Sequence, residues 1–345
     1  MATLEAILPR AGVRGPRLET TTLACTAFLL VIAFVVLYPV LLLLINSFEV
    51  SLPRSGLAYG FANWRAAVTD PGISTALVNT LKVSITEHVI SIPLALGIAW
   101  LLARTDVPGA RRLEFLFWLS YFLPTLVLTA GWILLADPNY GLLNQLLKQL
   151  QFVTSAPLNI YSFWGIVFIH IMGIGLGAKV MLLVPAFRNM DASFEEAARV
   201  TGAGVLGTVT RIVIPAIAPA VLIVVLLSLI RSFEAFEIEL VLGTPIRFQV
   251  YSTKIYALIN QSPVNYGAAT ALSMFILLTT LPLILLQLWV SRRRSYTTLT
   301  GRTRLALTRL HAWRWPAAAG VLLIAALGTL LPVGFLLLGS FMGLF

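Results

Sequence analysis

Arg231, Glu234 and Glu237 step by three through an apolar run, and Glu239 follows two residues later. A three-residue step puts side chains on one face of a helix, here near its end. Ionisable groups within such a run are costly to bury and mark function by default. Three carboxylates gathered at the mouth of a span would suit a hard cation, which prefers oxygen ligands. A plainer alternative stays open, in which Arg231 pairs locally with Glu234 and the remaining acids are interfacial. Lys179 lies close enough to one end of its apolar run to snorkel to the surface, and Lys82 close enough to the opposite surface. His170 and the adjacent Glu87 and His88 have no ligand spacing with one another, no HxxxH or ExxH, and read as hydrogen-bonding groups between helices.

A second constellation lies in the polar stretch 187–215, which reads as two short helices. Ser193-Phe194-Glu195-Glu196 is an S-x-x-E capping box, in which the Ser193 hydroxyl and Glu196 carboxylate satisfy each other's backbone donors. Glu195 and Arg199 stand i, i+4 with the acid first, the favourable order. Gly202 supplies a left-handed residue to end the first helix. Pro215 is placed to open a new one, where its missing N–H costs nothing. Ala197 and Ala198 are small enough to let the first helix lie deep in a groove, and Glu196 offers that groove a carboxylate. Each residue also has a structural reading: cap, helix former, helix stop.

The elements that must position these groups follow from composition. Of 345 residues, 59% are hydrophobic and 11% charged, against about 25% charged in soluble domains, so this is an all-α polytopic membrane protein. Apolar runs of about 20 residues, enough to cross roughly 30 Å of hydrocarbon, fall at 22–45, 83–103, 113–136, 161–186, 216–236, 268–290 and 317–339. The first is too long, and too poor in a cleavage site, for a removable signal peptide. With the N-terminus inside, sixteen Lys and Arg fall in inner segments and five in outer ones, so the positive-inside rule fixes the orientation. It also explains the net charge of +10 without nucleic acid. The single Cys25 excludes an internal disulfide and a thiolate metal cage. No GxxxxGK[ST], GxSxG or HExxH occurs, so the chain is read as a non-enzyme that carries no catalytic residue, no cofactor and no resident metal.

Glu196-Ala197-Ala198, Gly202, Ile212, Ile214 and Pro215 at their spacing resemble the EAA signature of permease subunits of bacterial binding-protein-dependent ABC importers, with Ile214 where Leu is usual. The resemblance implies that the loop is a coupling helix docking on a separate ATPase subunit, which binds ATP and Mg. It also implies a periplasmic substrate-binding protein as partner, a second permease unit in cis or in trans, and a place in the bacterial inner membrane with the N-terminus cytoplasmic. Several stretches resemble the ferric-iron permeases in particular: Asp137-Pro138-Asn139-Tyr140-Gly141-Leu142-Leu143-Asn144, Ser232-Phe233-Glu234-Ala235-Phe236-Glu237 and Tyr296-Thr297-Thr298-Leu299-Thr300-Gly301. Phe61-Ala62-Asn63-Trp64, Asp70-Pro71, Asn79-Thr80 and Ser84 resemble the approach to the second span in such permeases. Ferric iron is the expected cargo, with polyamine, thiamine and phosphonate importers sharing much of the pattern. A stand-alone secondary carrier is opposed by the coupling loop, and a membrane enzyme by the scarcity of acids.

An internal repeat completes the organisation. LYPVLLLLINSF at 37–48 and LLPVGFLLLGSF at 330–341 share seven of twelve residues, including Pro39 with Pro332 and Ser47-Phe48 with Ser340-Phe341. The expected organisation is a cytoplasmic tail 1–21, a transmembrane domain 22–290 containing the loop 187–215, a basic cytoplasmic linker 291–315, and at 316–345 the first helix of a second permease unit that is cut short. The linker's Arg, Thr and Leu would also suit an amphipathic helix on the anionic inner leaflet.

Overall fold

The computed structural model describes residues 20–50, 56–150, 155–191, 193, 200, 202, 204–293 and 307–341. Among them every regular element is a helix, as expected, and the only extended pairings are two isolated bridges, Glu49 with Tyr59 and Thr105 with Thr308. Seven segments are long and apolar enough to cross a membrane when two bent helix pairs are each counted as one.

The first span is α1, Thr20–Ser47. After the short helix α2, Ala62–Thr69, the second span α3 runs Pro71–Arg104. It starts twelve residues before the apolar run, because Asp70 caps it: the carboxylate accepts the N–H groups of Gly72 at 2.6 Å and Ile73 at 3.4 Å, with Pro71 in the first turn. At 1.5 Å per residue such a helix is about 51 Å long and projects beyond the hydrocarbon.

The third span departs from a straight helix. α4, Ala110–Phe122, and α5, Thr125–Ala136, meet at 101°. Pro124 is the cause: the residue before a proline is driven out of the helical region, and Leu123 has ψ 136°. The short helix α6, Leu142–Gln149, leads to the fourth span, formed by α7, Phe163–His170, a wide turn Ile171–Gly175 kinked at Gly173, and α8, Leu176–Arg188. In the fifth, helical residues 205–216 turn by 70° at Ile217 into α9, Ala218–Glu234. The N-terminal proline of that span is therefore Pro219; Pro215, expected to open it, lies in the last turn before the bend. α10, Tyr251–Asn260, lies outside the spans, α11, Tyr266–Arg293, is the sixth, and α12, Arg314–Ala325, with α13, Leu331–Ser340, forms the seventh.

Lipid is as apolar as leucine, so close backbone approach and polar contacts hold the bundle together. At Gly131 in α5 a β-carbon would stand 2.4 Å from the Pro332 carbonyl oxygen of α13, a contact only glycine permits. The loops between spans are braced by the motif residues. Asp137 accepts the N–H groups of Asn139 and Tyr140 at 2.7 and 2.9 Å, and Asn144 bridges Asp137 O and the backbone of Leu158. Asn63 donates to Glu49 O, Asn79 to Gln249 O, and Thr80 Oγ1 accepts the Tyr251 N–H. Burial pushes the Tyr251 phenol above its ordinary value, keeping it the donor to Leu272 O at 3.0 Å. The two helices that share the repeat occupy different surfaces: α1 packs along α11 with its apolar length exposed, whereas α13 packs on α5.

Candidate functional site

Helices α3, α4, α5, α7, α8 and α9 line a cavity of about 590 Å3, whose lining includes Arg231, Glu234, Glu237 and Glu239. All four residues singled out in the fifth apolar run thus face one space, but not along one helix. α9 ends at Glu234, Ala235 and Phe236 are extended or irregular, and a new turn begins at Glu237. The Ser252 hydroxyl of α10 donates to Ala235 O at this break. Glu234 and Glu237 are exposed to the cavity mouth, whereas Glu239 is only 2% exposed. Among the described residues no ion pair joins Arg231 to Glu234.

The same cavity is lined by Glu87, His88, His170 and Lys179. Lys179 does not snorkel. It is 2% exposed, and its Nζ donates to Glu87 Oε1 at 2.7 Å across the α3–α8 packing. The reason is the kink at 171–175, which turns α8 so that Lys179 faces the bundle interior. Glu87 Oε2 stands 2.6 Å from His88 Nδ1, which also lies 2.7 Å from Ser84 O. Two acceptors at one ring nitrogen place a proton there, and the buried Nε2 of His88 has no protein hydrogen-bond partner. On the opposite wall His170 Nε2 donates to Glu239 Oε1 at 2.7 Å, and Glu239 Oε2 is buried without a protein partner. A chamber of about 10 Å3, lined by Thr80, Ser84, Ser232 and these two carboxylates, lies between the pairs. The interhelical hydrogen bonding expected of Glu87 and His170 is present, whereas His88, expected to do the same, bonds within its own helix; that these groups share one space with the fifth-span acids was not legible, since the partners lie 92 and 69 residues apart in sequence.

Counting side chains, the cavity carries four carboxylates against Lys179 and Arg231, with two histidines. Among the described residues no three His, Cys, Asp or Glu side chains converge as metal ligands.

The polar loop is described in part. Glu195, Glu196, Ala197, Ala198 and Arg199 lie outside the described residues. Asp191 Oδ1 accepts the Ser193 N–H at 3.0 Å. Gly202 has φ +79°, the left-handed conformation, and Ile212 lies in the wide helical turn Val209–Val213. The loop is tied back to the bundle through Arg104, wholly buried, whose guanidinium donates to Met190 O at 3.1 Å, and through Arg188, which grips the Glu114 carboxylate at 2.5 and 3.1 Å.

Residues 91–296 match the family described as binding-protein-dependent transport system inner membrane component. The chain is similar to the sulfate transport system permease protein CysT of Salmonella typhimurium, 24% identical over 76% of this chain and 89% of that one. It is 29% identical to the molybdenum transport system permease protein ModB of Escherichia coli, over 65% of this chain and 96% of that one. A putative ferric transport system permease protein, FbpB 1 of Haemophilus influenzae, is 27% identical over 84% of this chain but only 44% of its own length. Among solved structures, a bacterial ABC transporter that imports the acidic polysaccharide alginate superposes with a TM-score of 0.65 at 20% identity, covering 80% of this chain and 96% of that one.

Proposed function

Because this chain belongs to the family of binding-protein-dependent transport system inner membrane components, we propose that it is the membrane-spanning permease of an ATP-driven importer whose cargo is ferric iron. The observation that carries the cargo is the cavity's charge, four carboxylates against two fixed cations. An oxyanion such as sulfate would meet net repulsion there, whereas a hard cation meets oxygen donors. The absence of a three-ligand cluster among the described residues suits a conduit, since a site that held iron tightly would release it slowly. The similarity to a putative ferric permease supports the same choice.

In this reading a periplasmic binding protein delivers the cargo at the mouth formed by Glu234 and Glu237. Separate ATPase subunits bind ATP and Mg and close against the 187–215 loop, whose Ser193, Glu196 and Gly202 transmit the movement to α8 and α9. Two ATPase subunits require two coupling loops, and this chain has one EAA pattern, so it works with a second permease unit in cis or in trans. Cells expressing the chain with its ATPase, binding protein and second unit should accumulate radioactive iron, and Glu234→Gln/Glu237→Gln should reduce that accumulation severalfold. Accumulation of sulfate or molybdate in place of iron would overturn the cargo while leaving the importer class intact.

A further inference from the structure

At the inner end of the bundle, away from the charged cavity, the chain returns to α3 after the sixth span. Thr308 N–H donates to Arg104 O at 2.8 Å, Asp106 N–H to Thr308 O at 3.3 Å, and Leu310 N–H to the Asp106 carboxylate at 2.7 Å. This clamp fixes 308–310. His311 then turns the chain with a left-handed φ of +53°, and α12 begins at Arg314.

The result is an open cavity of about 510 Å3 lined by Asp106, Arg309, His311, Ala312, Arg314 and Trp315. Arg309, His311 and Arg314 are exposed, and no described ion pair occupies them. Asp106 is the one carboxylate in the lining, and its Oδ1 already accepts the Leu310 N–H. Beside the cavity, Trp313 and Trp315 are 74% and 62% exposed, and the Arg314 guanidinium sits 5.7 Å from the Trp315 ring centroid. Exposed tryptophans at the end of a span sit at headgroup depth. Beyond them α12 presents Leu322 and Leu323, both exposed, as a surface for acyl chains.

We infer that this cavity binds the phosphate of an anionic phospholipid headgroup. A phosphodiester matches guanidinium donors in number and geometry. The flanking tryptophans and exposed leucines favour a lipid as its source over free phosphate, because a soluble anion gains nothing from them. A basic pocket at the inner end of spans is the expected place for such a headgroup. The site depends on neither the cargo nor the coupling reading.

The purified full chain, with any subunits that accompany it, can be placed in nanodiscs of phosphatidylcholine containing phosphatidylglycerol in both leaflets. Retained lipid is then counted by native mass spectrometry. Phosphatidylglycerol should be retained in preference to phosphatidylcholine, and Arg309→Gln or Arg314→Gln should each weaken retention roughly fivefold, whereas Arg292→Gln at the exposed end of α11 should not. Unchanged melting in pure phosphatidylcholine checks that the variants are folded. Equal retention of the two lipids, or an equal loss in Arg292→Gln, would show diffuse charge attraction and overturn the site. Displacement of the lipid by millimolar inorganic phosphate would assign the pocket to a soluble anion and overturn the lipid.

Discussion

Lys179 and Glu87 are worth more as a pair than either is alone. Each is buried, and the charge left behind when one partner is removed has only His88 or nothing to lean on. Breaking a buried pair costs about 3–5 kcal/mol, while replacing both members by neutral groups is often tolerated. Lys179→Met and Glu87→Gln should therefore each lower the melting temperature of the solubilised protein, and the double variant should recover most of the loss. Additive losses in the double-mutant cycle would show that the two groups do not depend on each other. Gly131→Leu should fail for another reason: its β-carbon would overlap the Pro332 carbonyl, and α13 would have to leave α5. Its readout is loss of a crosslink between cysteines placed along those two helices.

At the scale of the element, Gly202 offers the sharper test of the coupling loop. A β-carbon at this position meets nothing within 4 Å, so bulk is not the difficulty; the φ of +79° is. Gly202→Val should cost about 1–2 kcal/mol of local backbone strain and abolish transport with insertion intact. Gly202→Asn, which tolerates the left-handed region, should retain transport. Equal loss in both variants would mean that any side chain here obstructs docking on the ATPase, and that backbone geometry is not what the position supplies. Asp70→Ala removes the cap of α3 and should destabilise the protein by about 1 kcal/mol, measured as a lower melting temperature.

Much of this level was legible in the chain. Apolar length alone placed the spans, because every backbone polar group in lipid must be satisfied within a helix. Breaks inside spans were not legible from apolar length, since Leu123-Pro124 interrupts the backbone without interrupting hydrophobicity. Lys179 was misplaced for a similar reason: distance along the sequence from the surface says nothing of which way a kinked helix faces.

For the whole molecule, orientation rests on where the basic residues fall. In a Cys25→Ala background, Gln261→Cys should react with an impermeant thiol reagent in intact cells and Ser291→Cys should not; labelling of position 291 would invert the topology. The clamp between the second span and the start of the seventh has a consequence for biogenesis. Asp106 and Leu310 are 204 residues apart, and at about 5–20 residues per second a ribosome needs roughly 10–40 s to deliver the second partner after the first. Throughout that interval the carbonyl of Arg104 and the carboxylate of Asp106 await partners at the membrane surface while four further spans pass through the translocon. The Arg104 end of the second span thus stays unfinished while the rest of the bundle is made, and an insertion chaperone would have something to hold there.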